Sequence, residues 1–202
     1  MPTLIIGGMH RSGTTLTARW LHNCGLFIGD ELMQSSHTHS NPSGLHYEDV
    51  GFLKFHLDLL LANGLSKDGY IIDEAVKVSA DFRQHAKQLV TARQSHNQWG
   101  WKEPRTCLLM ELWQALLPDA HLLIVYRPYE YVADSLLRRK LDHPKRQKRW
   151  LYKLRFHNLD THVAQFIQIW GRYNRDLLAA AERASEKTLV VRVDDLAAHS
   201  SK

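Results

Sequence analysis

Residues 7–15, GGMHRSGTT, are of a kind that could hold an anion. They follow the apolar run LIIG and precede a helical pattern. A glycine turn there delivers backbone N–H groups to a helix N-terminus, which attracts phosphate. Gly8 and Gly13 keep the spacing of the phosphate-loop pattern GxxxxGK[ST], but Thr14 stands where the lysine would be. A cation appears earlier in the loop, at Arg11. The amides of Ser12, Gly13, Thr14 and Thr15 are expected to face one concavity. The hydroxyls of Ser12, Thr14 and Thr15 add donors, and Arg11 could fork two oxygens of a phosphate or sulfate. Magnesium-dependent transfer from ATP needs the loop lysine and a carboxylate on a neighbouring strand. The run HLLIVYR, 121–127, ends in Arg127 instead. A metal-free loop holding a monophosphate-sized group is therefore expected. A second anion position is offered by Arg127 with Ser135, eight residues later on the next predicted helix.

The elements that must position these groups alternate along the chain. Residues 3–8 read as a buried strand and 13–23 as a helix closed by Cys24-Gly25. Residues 35–46, SSHTHSNPSGLH, read as a loop. A helix over 49–63 would bury Phe52, Leu53, Leu57, Leu60 and Leu61, and a polar helix follows over 79–96. WGWK, 99–102, is a short strand, and Pro104 leads into a helix from Thr106 to Leu117. HLLIVY, 121–126, is the clearest strand, followed by a helix over 129–139. A long helix spans 158–184 with Val163, Phe166, Ile167, Trp170, Tyr173 and Leu177 on one face. TLVVRV, 188–193, is a last strand, and Asp194-Asp195 start a helix. Such alternation specifies an α/β fold with a central, mainly parallel sheet flanked by helices. In a parallel sheet the strand C-termini share one edge, so Arg127 is expected beside Ser12 and Gly13.

The 202 residues suit one domain able to bury a core unaided. No apolar run approaches the length a bilayer span needs, and no basic segment precedes the first apolar stretch as in a signal peptide. Cys24 and Cys107 lack metal-ligand spacing and read as reduced core residues, which favours a cytoplasmic setting. His37, His39 and His46 lie in a polar loop without a carboxylate cluster, so no metal is expected. The net charge of +5 asks for an anionic partner. The stretch 138–156 is almost free of acids. It reads as a solvated rim or as a guide for an acidic acceptor or the donor, with Trp150, Tyr152 and Phe156 able to stack on a sugar or aromatic. No nucleic-acid-binding motif accompanies it.

HRSGTT followed by an Arg…Ser pair resembles the sulfotransferases that use 3′-phosphoadenosine 5′-phosphosulfate (PAPS). WGWKEPRT at 99–106, RPYEYVADSLLRR at 127–139, NPSGLHYED at 41–49 and VVRVDDL at 190–196 resemble the bacterial and cyanobacterial branch in the same order. The resemblance implies a three-layer P-loop NTPase-like fold and a single domain over 1–202, without the family's C-terminal glycine/basic segment. It implies transfer of a sulfuryl group from PAPS to a hydroxyl or amine of a small-molecule or glycan acceptor, without metal. By the same resemblance, Arg11 to Thr15 hold the 5′-phosphosulfate, with Arg11 as the catalytic cation, and Arg127 and Ser135 hold the 3′-phosphate. Lys102 matches a lysine near the transferring group. The family's histidine two residues after it is Pro104 here, so the base falls to a glutamate. Glu48, in a stretch like the family's G-x-x-E and at the opening of a helix, is the first choice, and Glu103 the second. Two rivals remain: a P-loop kinase of small metabolites, and a non-catalytic module that binds nucleotide or nucleic acid. The sequence leaves the oligomeric state open.

Overall fold

The computed structural model describes residues 3–35, 44–141 and 159–199. In chain order the elements are β1 (Thr3–Gly7), α1 (Thr14–Asn23), β2 (Leu32–Gln34), β3 (Leu45–Asp49), α2 (Val50–Ala62) and α3 (Ala80–Arg93). They continue with β4 (Trp99–Lys102), a 3-10 turn (Pro104–Leu109), α4 (Met110–Leu116), β5 (His121–Tyr126), α5 (Tyr129–Leu141), α6 (Leu159–Arg183), β6 (Thr188–Arg192) and α7 (Val193–His199).

The main sheet runs β4-β1-β5-β6 and is parallel throughout. Successive strand residues face opposite sides. Ile5, Leu122 and Ile124 join Phe52, Trp113, Phe166 and Tyr173 in the larger core. Ile6 and Val125 turn the other way and meet Ala18, Ile28, Tyr47 and Val193. The sheet is thus the middle of three layers, as a sheet with both faces covered must be. From β1 the chain moves on to β4 on one side, and from β5 to β6 on the other. The connections therefore diverge between β1 and β5, and a crevice opens at their C-terminal ends.

The long strands and helices lie where the apolar patterns put them. Their buried faces differ in detail. In α2 the buried residues are Phe52, Phe55, His56, Leu59 and Leu60, while Leu61 is exposed. This helix is apolar almost all round, so its inward face is chosen by its neighbours: Phe52 stacks on Trp101 at 4.4 Å. In α6 Ile169 is buried and Ile167 lies at the surface. Cys107 is buried, but Cys24 is exposed, because it caps the C-terminus of α1 and is not part of a core-facing turn. The polar stretch 35–46 ends in strand, since Leu45 and His46 begin β3. His37, His39 and most of the basic stretch, including Trp150, Tyr152 and Phe156, lie outside the described residues.

Candidate active site

The loop after β1 is shaped by two glycines. A Cβ on Gly8 would stand 2.7 Å from the carbonyl oxygen of Val125 and 2.5 Å from Thr14 Cγ2. Thr14 is buried. The residue in the lysine position thus packs its methyl under the loop. Gly13 has φ of 90°, and a Cβ there would reach Val193 Cγ2 at 2.1 Å. Gly13→Ala should therefore combine left-handed strain with a clash. We expect a loss of about 2 kcal/mol or more in denaturant unfolding, together with weakened anion binding.

Not all the expected amides are available. Ser12 N–H donates to the Met9 carbonyl at 3.1 Å, inside the loop. The amides of Thr14 and Thr15, at the first turn of α1, have no helical carbonyl to bond and remain for a ligand. Beneath the loop, Gly8 N–H donates to Cys107 Sγ at 3.2 Å, and burial pushes that thiol's pKa up to about 12.

Arg11 also adopts a left-handed backbone, with φ of 70°. Its side chain reaches across to α5, where Nε donates to Ser135 Oγ at 2.8 Å. Arg127 follows β5 and donates from Nη1 to the Arg11 carbonyl at 3.1 Å. The Arg127 carbonyl itself accepts from Trp170 Nε1 at 3.0 Å, which ties the residue to α6. Arg127 Nε is buried and has no hydrogen-bond partner. Arg11, Arg127 and Ser135 therefore meet at the β1–β5 crevice.

Lys102 ends β4 and is almost fully buried. Its Nζ bonds Glu48 Oε1 at 2.6 Å and donates to Thr15 Oγ1 at 3.3 Å. Glu48 does not open a helix, as the sequence suggested. It is the fourth residue of β3, and Asp49 caps α2 by accepting from Gly51 N at 2.7 Å. Tyr47, with φ of 52°, breaks the alternation of β3. Tyr47, Glu48 and Asp49 are consequently all buried in succession. Tyr47 joins the core beside α1, Glu48 meets Lys102, and Asp49 pairs with Arg93 at 2.8 Å. A bulky residue held in this region is a strained feature that aims its neighbours.

Glu103 faces the other way. It is fully buried, with His56 Nδ1 at 2.6 Å from Oε2 and Arg105 Nη1 on Oε1. Oε2 also accepts from Arg105 N–H at 3.0 Å, so the carboxylate caps the 3-10 turn. Trp113 Nε1 donates to His56 Nε2 at 3.2 Å. An indole N–H can only donate, so His56 Nε2 is the acceptor of this bond. Burial works against the charged carboxylate. The neighbouring His56 and Arg105 outweigh it and hold the pKa down to about 2. Both oxygens of Glu103 are engaged, by Arg105 and by the approach of His56.

His10, inside the loop, was not singled out from the sequence. Its ring meets Tyr70 edge-on at 5.6 Å, and its buried Nε2 has no hydrogen-bond partner. Burial, then the charge of Arg105, holds its pKa down to about 3, although Glu103 opposes them. Below pH 6.5 an unfolded chain takes up a proton that the fold refuses. Stability from this group is full above that value and falls as pH drops towards 3. Between pH 7 and pH 5 we expect a loss of about 2 kcal/mol in urea unfolding, absent in His10→Asn.

Among the described residues, no group of three or more His, Cys, Asp or Glu gathers as a metal site, and no helix is long and apolar enough to cross a membrane. A family model described as the sulfotransferase family matches residues 2–202. The solved structure of a sulfotransferase, STF1, from Mycobacterium tuberculosis H37Rv is similar at a TM-score of 0.53 and 16% identity. The match covers 98% of this chain and 63% of that one, so the chain spans less than two thirds of that neighbour's length. At this identity the likeness speaks for the fold. No protein of curated function matches. With a family match along nearly its whole length, the chain belongs to the sulfotransferase family.

Proposed function

We propose that the crevice binds PAPS and transfers its sulfuryl group to a hydroxyl or amine of a small-molecule or glycan acceptor, without a metal. The observation that carries this reading is the position of Lys102, bonded at once to Thr15 of the loop and to Glu48. A buried cation and a carboxylate thus adjoin the loop that, in this reading, binds the anion.

In this reading the amides of Thr14 and Thr15 hold the 5′-phosphosulfate, with the rest of the 11–15 loop around them. Arg127 and Ser135 hold the 3′-phosphate at the neighbouring strand end. The acceptor oxygen attacks sulfur in line, and the bond from sulfur to the bridging oxygen breaks. Negative charge develops on that oxygen, where a preorganised cation lowers the barrier. Lys102 is a buried cation 3.3 Å from the Thr15 hydroxyl of the loop. Glu48 uses Oε1 on Lys102, and Oε2 is left to take the acceptor proton. Glu103, held by His56 and Arg105, positions the strand end that carries Lys102.

The test is calorimetric titration with adenosine 3′,5′-bisphosphate in EDTA, beside ATP with magnesium. Magnesium-free binding of the bisphosphate that falls in Arg127→Ala is the expected result. Preference for magnesium-ATP would favour a kinase. Strongly salt-dependent binding of oligonucleotides in place of either would favour a nucleic-acid module.

A further inference from the structure

Two anion positions lie at the β1–β5 crevice, and their cations are distributed unevenly. The loop position has Lys102 within 3.3 Å of Thr15. Arg11, although part of the loop by sequence, is turned away by its left-handed backbone and bonds Ser135 on α5. With Nε on Ser135, its two terminal nitrogens remain as a fork. The hydrogen of Ser135 is likewise left to donate, since its oxygen accepts from Arg11.

Arg139 lies one helical turn beyond Ser135, on the same face of α5. Its neighbour Arg138 is engaged with Asp134 at 2.9 Å, whereas Arg139 has no hydrogen-bond or ion-pair partner among the described residues. Burial, then the charges of Arg139 and Arg127, lower the pKa of Arg11. Arg11 holds the Ser135 hydroxyl, Arg127 bonds the Arg11 backbone, and Arg139 is near enough for its charge to act on Arg11, while among the described residues no carboxylate pairs with any of the three. Like charges gathered without a counter-ion favour an anion between them.

We propose that Arg11 and Arg139 belong to the second anion position, with Arg127 and Ser135, and that together they select a nucleotide carrying a 3′-phosphate. This rests on the donor reading above. It moves Arg11 from the 5′-group, where the loop motif puts it, and adds Arg139 as a binding residue.

The experiment compares two nucleotides on each variant: adenosine 3′,5′-bisphosphate and adenosine 5′-monophosphate, titrated calorimetrically. Arg11→Asn keeps a residue that tolerates the left-handed backbone, and Arg139→Gln keeps the length of the side-chain stem. Each should weaken the bisphosphate roughly 10- to 100-fold, the range expected for a lost charge-assisted bond. Monophosphate affinity should stay unchanged, which also certifies the fold. An equal loss for both nucleotides in Arg11→Asn would return Arg11 to the 5′-group and overturn the proposal. Unaltered bisphosphate binding in either variant would overturn it for that residue. If Arg127→Ala alone loses the bisphosphate, the donor reading stands and this inference falls. If the unmodified chain binds neither nucleotide, both fall.

Discussion

Replacing Lys102 by methionine should abolish turnover and destabilise the fold together. The ammonium is buried, and Glu48 at 2.6 Å is its ion-pair partner. Removing one partner of a buried pair leaves the other charge uncompensated, at a cost of about 3–5 kcal/mol. Thermal and urea unfolding should show this as a lower midpoint with an unchanged slope. The double variant Lys102→Met/Glu48→Gln should recover part of the stability, because the stranded charge is gone. It should recover none of the transfer. A donor for developing charge contributes on the order of 10²- to 10³-fold in rate, so single-turnover transfer should fall at least that far. Glu48→Gln alone should lose transfer and keep nucleotide binding. Retained transfer in Glu48→Gln would remove it as the base.

The second large effect is expected at Glu103, and it concerns stability. Glu103→Gln replaces a carboxylate that accepts from Arg105 and lies 2.6 Å from His56 Nδ1 in a fully buried setting. The amide nitrogen would face a donor on at least one side, and the Arg105 charge would lose its counter-ion. A loss of about 3–5 kcal/mol is expected. Acid should do the same to the unmodified chain. With its pKa held to about 2, below the ordinary 4.5, the contribution of Glu103 is complete above pH 4.5 and is lost as pH falls through 2. That window amounts to on the order of 3 kcal/mol. It opens at 4.5, two units below the 6.5 at which the window of His10 opens, so the acid profile should steepen below pH 4.5. Urea midpoints measured at half-unit steps from pH 7 to pH 2 show the change of slope. Glu103→Gln should lose the steepening below pH 4.5 and keep the descent that begins at 6.5.

The main sheet was legible because buried parallel strands are continuous apolar runs, and HLLIVY and TLIIG are such runs. The loop residues and the pairing of Arg127 with the β1 end followed from the same topology. The β2–β3 hairpin was not legible. β2 has only three residues, and β3 buries Glu48 and Asp49 through an irregular backbone at Tyr47 that no residue type announces. The two glutamates could not be told apart by spacing. Their fates depend on partners: Lys102 at the crevice for Glu48, and His56 in the core for Glu103. The one available signal was His56 itself, a polar residue on the inward stripe of an apolar helix. The direction of Arg11 depends on a φ of 70°, which the motif does not encode.

The contact between Gly13 and Val193 has a consequence for the order of folding. The loop after β1 is made before the residue that packs against it, Val193, which opens α7, the last described helix. β1, similarly, is placed between β4 and β5, both made much later. Contacts so distant in sequence close slowly, because the intervening chain must be ordered first. On a ribosome the loop therefore waits without its outer wall until β6 has docked on β5. Pulse-labelled hydrogen exchange should find the amides of α1's first turn among the last to gain protection, although β1 beside them precedes every other described strand.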